Sequence, residues 1–199
     1  MSNYIGPKNR LSRRENFDIF GKGNKLRRGT VPPGQHGPKG TRRPTDYGIR
    51  LREKQKTKRI YGIMERQFRK YFEKATKVRG KTGEVLLRLL ETRLDNVVYR
   101  LGMAPTRAMA RQLVSHGHVR LDGKRVTIPS FQISTGQQIS LSPKAMQTPV
   151  VSALLQSTDH HLPAWLDRQG AVGVVTTLPS RTDVDSPIDE QLIVEFYSR

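Results

Sequence analysis

Apolar positions recur with a helical period through much of the first half of the chain, then with a period of two near its centre. In TRLDNVVYRLG, Leu94, Val97, Val98 and Leu101 stand at i, i+3, i+4 and i+7, one stripe of a helix that Gly102 stops. Arg93, Asn96 and Arg100 recur on another face, which predicts a packing side and a donor side. Pro105 holds Ala104 extended and separates this helix from a second, Arg107 to His116, with Thr106 as its N-cap and Gly117 beyond it. Here Ala110, Leu113 and Val114 face inward while Arg107 and Arg111 share another face. The period then changes. Val119 and Leu121 alternate with His118 and Arg120, Val126 and Ile128 with Arg125 and Thr127, and Asp122-Gly123 between them predicts a type I′ hairpin whose tip carries Lys124 and Arg125. Phe131, Ile133, Ile139 and Leu141, across a turn at Gly136, predict a further strand run.

Helices precede this centre. Asp46 is the predicted cap of one through LREKQKTKRIYG, anchored by Ile49 and Leu51 and coated by Arg52, Lys54, Lys56, Lys58 and Arg59; so basic a helix needs counter-charge. Met64, Phe68, Tyr71, Phe72 and Ala75 make a stripe that must pack, with Arg66, Arg69, Lys70 and Lys74 outward. Thr82 caps a third helix through Val85, Leu86, Leu89 and Leu90. Beyond the centre, SPKAMQTPVVSALLQSTDHHLPAWL predicts a short helix and then loop, and GAVGVVTTLPSR a strand before a proline turn. The last residues, with Leu192, Ile193, Val194 and Phe196, are too apolar to hang free.

Charge changes the picture. The net charge is +19 and the isoelectric point about 10.8, with 17 Lys/Arg against 4 Asp/Glu in residues 1–60 and 3 against 7 in residues 146–199. Residues 101–145 hold six Lys/Arg against one acid, which is not the mixed-sign surface of an ordinary soluble domain and points to a polyanion. The first 45 residues, rich in Gly, Pro, Lys and Arg, cannot bury enough surface to fold alone and are expected to order on that partner. No apolar run approaches 18 residues, so no membrane partner is expected. The absence of cysteine excludes disulfides and thiolate metal sites, and MSNYIGPKNRLSRR lacks a secretory core, which predicts a cytoplasmic chain. His36 in PPGQHGP stands far from the other histidines, so no metal is expected. No phosphate loop, nucleophile elbow or carboxylate cluster suggests an enzyme, a cofactor or a small-molecule substrate.

RLDNVVYRLG and TRAMARQLVSHGHVRLDGKRV resemble the RNA-binding module first recognised in the fourth protein of the small ribosomal subunit, a module also carried by some pseudouridine synthases, tyrosyl-tRNA synthetases and a heat-shock protein. PPGQHGP, LREKQKTKRIYGIMERQFRKYF and EQLIVEFYSR resemble the ribosomal family itself, in its order and over nearly the whole chain. Asn9 and Ser12 occupy what look like the first two of four cysteine positions in zinc-binding members, so the chain resembles the zinc-free branch. The implied fold is α+β: a basic arm over residues 1–45, a helical domain over 46–91 completed by 180–199, and an inserted module over 92–179.

The resemblance implies a structural protein, not an enzyme, that binds the 5′ domain of 16S rRNA, nucleates 30S assembly and contributes to translational accuracy. It also implies contact with the fifth small-subunit protein, uS5, and with mRNA where it enters the subunit. Taken with the basic pattern, it places rRNA contacts on Arg10, Arg13 and Arg14 of the arm; on Arg52, Lys54, Lys56, Lys58, Arg59, Arg66, Arg69 and Lys70 of the helices; and on Arg93, Asn96, Arg100, Arg107, Arg111, Gln112, Ser115, His116, His118, Lys124 and Arg125 of the module. Lys39, Arg42 and Arg43 fall to the mRNA. The rival reading is a DNA- or RNA-binding regulator using the helix-turn-helix-like centre. Against it, the basic residues extend over the arm and three preceding helices, an expanse suited to a large folded RNA.

Overall fold

The computed structural model describes residues 4, 6–21, 23, 31–39, 43–157, 161–184 and 187–198. Its first helix, α1 (Lys8–Glu15), lies within the arm, and what orders it is charge. The carboxylate of Glu15 is buried and paired with Arg52 and Arg59 of α2 (Asp46–Ile60), while Arg13 donates to the carbonyls of Val31 and Pro32 at 2.8 and 3.0 Å. Residues 8–15 of the arm, expected to order on the anionic partner, are thus ordered by contacts within the chain.

Thr45, not Asp46, caps α2: its hydroxyl accepts from the Gly48 N–H, which leaves Asp46 in the first turn, where a carboxylate suits the helix dipole. The buried positions of α2 are Lys54, Thr57 and Ile60, so the predicted anchors Ile49, exposed, and Leu51, half-buried, give way to a face further along the helix. In α3 (Glu65–Thr76) the aromatic stripe packs as its period predicts: Phe68, Tyr71, Phe72 and Ala75 are buried, and Met64 stands just before the helix, exposed. The final apolar run is a helix, α9 (Glu190–Tyr197), capped by Asp189 and laid against α2. Ile193 is buried, the Tyr197 ring stacks on Phe72 at 4.6 Å, and Glu195 pairs with Arg50 at 2.6 Å. These helices form one compact unit of residues 1–83 and 186–199.

The second unit, residues 84–185, opens inside α4 (Thr82–Glu91). The end of α4 is bonded into the rest of this unit, since Gln132 donates to the Leu89 carbonyl at 3.2 Å and the Glu91 carboxylate holds Asn96 and Arg100. Next come α5 (Leu94–Arg100) and α6 (Arg107–Ser115), the latter capped by Thr106. The remaining chain builds an antiparallel sheet in the order β2-β1-β3-β5-β4 from β1 (Val119–Leu121), β2 (Lys124–Val126), β3 (Gln138–Leu141), β4 (Leu166–Gln169) and β5 (Val172–Val175). Asp122 and Gly123 both take positive φ, 48° and 78°, as a type I′ turn requires, and set Val119 opposite Val126. Phe131 and Ile133 flank an isolated bridge between Arg93 and Gln132 and form no strand, because this loop spends its backbone on α5: the carbonyls of Phe131 and Pro129 accept the N–H groups of Leu94 and Asp95.

Between β3 and β4 stand two short helices, α7 (Pro143–Met146) and α8 (Pro149–Gln156), where one is predicted. One apolar cluster unites Leu94, Val97 and Val98 of α5, Leu101 just after it, Ala110, Leu113 and Val114 of α6, Val151 of α8 and the inward residues of every strand but β2, with Trp165 buried among them. Each fully buried Leu or Val contributes about 1.5–3 kcal/mol relative to exposure. Arg168 of β4 fastens the later part of the unit to the earlier by donating to the Leu101 and Ser157 carbonyls. Among the described residues no helix is long and apolar enough to cross a membrane.

Candidate nucleic-acid interface

Helices α5 and α6 meet through polar groups as well as through the core. Glu91, at the end of α4, is fully buried, and Arg100 grips both its oxygens at 3.0 and 3.1 Å. Asn96 donates to the same carboxylate at 2.6 Å and with its own oxygen accepts Nε of Arg107 at 2.8 Å. The Arg107 guanidinium also lies over the Tyr99 ring, 4.4 Å from its centroid. Beside this chain of contacts, Arg93 makes a buried two-point pair with Asp95 at 2.7 and 3.0 Å, and Asp95 accepts the Asn96 N–H. The predicted donor face of α5 is thus mostly interior. Arg93 is 1% exposed and Asn96 2%, so direct RNA contact is withdrawn for these two, which hold neighbours in place instead.

The groups assigned to RNA that remain outward in this unit belong to α6 and the hairpin. Arg107 and Arg111 stand one turn apart and half-buried, Gln112 and His116 are exposed, and the Ser115 hydroxyl bonds back to the Arg111 carbonyl at 2.7 Å. His118 lies within 3.3 Å of the Ser142 hydroxyl, its ring 6.3 Å from that of His116. Lys124, Arg125 and Arg120 are exposed, and Arg120 pairs across the strands with Arg125, so two cations share the solvent face. Arg125 also donates to the His116 carbonyl at 3.2 Å and covers Gly117, whose φ is 73° and where an added Cβ would collide with the Arg125 guanidinium. Gly117 takes a backbone angle that favours glycine, and its missing Cβ leaves the Arg125 side chain room to lie against the end of α6.

In the helical unit, much of the counter-charge for α2 comes from within. Lys54 and Lys58 pair with Glu65 at 2.7 and 3.0 Å, Lys56 with Glu53 at 2.7 Å, and Arg52 and Arg59 with Glu15. Lys54 is only 5% exposed and lies 4.4 Å from the centre of the Phe196 ring, so its expected RNA contact is also withdrawn. Burial pushes the Glu15 carboxyl above its ordinary value despite Arg52 and Arg59, and pushes Arg59 down, the signature of an ion pair that is costly to desolvate. Burial opposes ionisation of Glu65 too, but hydrogen bonds from Lys54, Tyr197 and Lys58 hold it at about 2. Burial and the bond to Glu65 raise the Tyr197 hydroxyl.

Of the cations assigned to rRNA in this unit, Arg10 and Arg14 on α1 and Arg66, Arg69 and Lys70 on α3 are exposed, with Arg69 facing Glu73 across the helix surface at 3.2 Å. Lys39 ends a 3-10 turn (Gly37–Lys39) and Arg43 precedes α2, both exposed; Arg42 lies outside the described residues. Sequence reasoning missed Tyr99 as the floor beneath Arg107 and Glu91 as the anchor of the polar chain. A signal for the second existed, an acid placed just before arginines that recur every seven residues, at 93, 100 and 107.

Residues 3–91 match the ribosomal protein S4/S9 N-terminal domain, and residues 92–139 match the S4 domain. The chain is 54% identical over 208 residues to the small ribosomal subunit protein uS4 of Dictyoglomus turgidum, and 49% over 201 residues to that of Parabacteroides distasonis. It is 48% identical over 209 residues to that of Thermus thermophilus, and in all three cases the whole of both chains is covered.

Proposed function

The chain belongs to the uS4 family of small-ribosomal-subunit proteins, and from that membership we propose that it works as a structural, non-enzymatic constituent of the cytoplasmic small subunit that binds rRNA. Its ligand there is the 5′ domain of 16S rRNA at a junction of several RNA helices, and its early binding nucleates 30S assembly. It meets uS5, influences translational accuracy, and sets Lys39, Arg42 and Arg43 beside incoming mRNA. The observation that carries the RNA reading is the rigid basic edge of the second unit, where Arg107 is held by Asn96 and stacked on Tyr99 while Arg125 is folded back against α6. Such a surface suits backbone geometry better than sequence, because the deep groove of an RNA duplex hides its base edges. Guanidinium forks bind phosphate oxygens in pairs.

The test is binding of the purified chain to a transcript of the 16S 5′ domain, against unrelated folded RNA and duplex DNA of equal length, over a salt series. An advantage for the 5′ domain of about tenfold or more at physiological salt, roughly 1.4 kcal/mol, is expected. Equal affinity for all three would leave only generic charge and overturn the reading.

A further inference from the structure

We infer that Asn96, anchored on the buried Glu91, is a positioning residue that fixes the guanidinium of Arg107 in one orientation for a phosphate of the bound RNA; this rests on the rRNA-binding function proposed for the chain. The chain of contacts is continuous. Arg100 clamps Glu91 through two hydrogen bonds, Glu91 accepts from the Asn96 amide at 2.6 Å, and the Asn96 oxygen accepts from Arg107 Nε at 2.8 Å. The arrangement also fixes which way the amide points, since its nitrogen faces a carboxylate and its oxygen an arginine. With Nε engaged and the guanidinium plane lying over Tyr99, 4.4 Å from the ring centroid, the rotations that would swing the fork away are blocked. An arginine held this way presents its fork edge-on and loses little rotamer entropy when a phosphate arrives. Glu91, fully buried, thus serves RNA binding without facing RNA.

The experiment compares the full-length chain with N96A, R107A, R107K and the N96A/R107K pair for affinity to the 16S 5′ domain transcript. Arg111→Ala, which removes the neighbouring cation one turn along α6, serves as the comparison for charge alone. The Arg107 Nε–H resonance of 15N-labelled protein is followed as a direct readout of its tether. R107A is expected to weaken binding about tenfold, one charge-assisted contact. N96A and R107K are expected to fall nearly as far although both keep the positive charge, and N96A should add nothing once residue 107 is lysine. The Nε–H should exchange with solvent slowly in the wild type and rapidly in N96A. R107K alters a half-buried surface side chain and leaves Asn96 in place, so it keeps the test decisive even where N96A folds poorly. Loss in R107A with wild-type affinity in R107K and N96A would overturn the positioning role and leave the RNA reading standing. Wild-type affinity in R107A would remove the RNA role of Arg107, and the inference with it.

Discussion

At Gly117 one residue meets two demands, a φ of 73° and contact with the Arg125 guanidinium. Gly123 has φ of 78° and nothing near where its Cβ would fall. The pair separates backbone strain from crowding. Gly123→Ala is expected to cost about 1 kcal/mol of stability, the penalty of a left-handed alanine, with RNA affinity nearly unchanged. Gly117→Ala should cost the same strain and also push Arg125 off the His116 carbonyl, so its affinity for the 5′ domain falls severalfold; chemical denaturation and binding of both variants check this. The buried carboxylate of Glu15 gives a second residue-scale test. Glu15→Gln leaves Arg52 and Arg59 facing each other without their acid, and removing one partner of a buried pair is far more damaging than the pair's net worth. Discounted for the partly exposed arginines, a loss of about 1–3 kcal/mol is expected. It should appear as faster hydrogen exchange in α1, whose attachment to α2 depends on that carboxylate.

Helix α9 shows how an element is held by its last turn. Its Tyr197 hydroxyl donates to Glu65 at 2.8 Å while the ring stacks on Phe72, so α3, α2 and α9 share one carboxylate. The folded-state value of Glu65, about 2, lies below its ordinary 4.5, so folding favours the ionised form. That contribution is complete above about pH 4.5 and drains away as the pH falls toward 2. In Tyr197→Phe the ring still stacks but one bond that depresses Glu65 is gone. The variant should lose about 1 kcal/mol at neutral pH, and melting curves from pH 7 down to 2 should show a smaller acid-dependent loss than in the wild type, with the same onset near 4.5 and a plateau reached at a higher pH. Elements of this kind divide by range. The α5 stripe, the α3 aromatics, the Thr106 cap and the Asp122-Gly123 turn are legible because neighbours within one or two turns decide them. β4 is not, since LDRQ buries chiefly Leu166 and becomes a strand by pairing with β5 at the sheet edge. Arg93 and Asn96 misled for a related reason. Helical spacing tells which residues share a face, but the loop at 129–132 and the acid at Glu91 cover that face, and periodicity does not see them.

Across the whole molecule, formal charge overstates the charge offered to RNA. Of the net +19, the cations of α2 are largely occupied by Glu15, Glu53, Glu65 and Glu195, which reach it from α1, from α2 itself, from α3 and from α9. The α9 portion of the acidic C-terminal stretch packs back on the basic helix. Counterion release counts only cations that meet phosphate, at about 0.7–0.9 of log affinity per log salt for each. Two classes of substitution should therefore behave differently. Arg66→Ala or Lys70→Ala, on the outward face of α3, should shallow the salt slope by close to one contact with little change in stability. Lys54→Met removes the same formal charge but from the interior, beside Glu65 and Phe196, so it should lower the stability of the helical unit while leaving the slope near that of the wild type. The comparison is made by titrating each variant with the 5′ domain transcript at four or five salt concentrations. Equal changes in slope for all three would mean that net charge alone governs binding and that the internal pairs do not withhold α2 from the RNA.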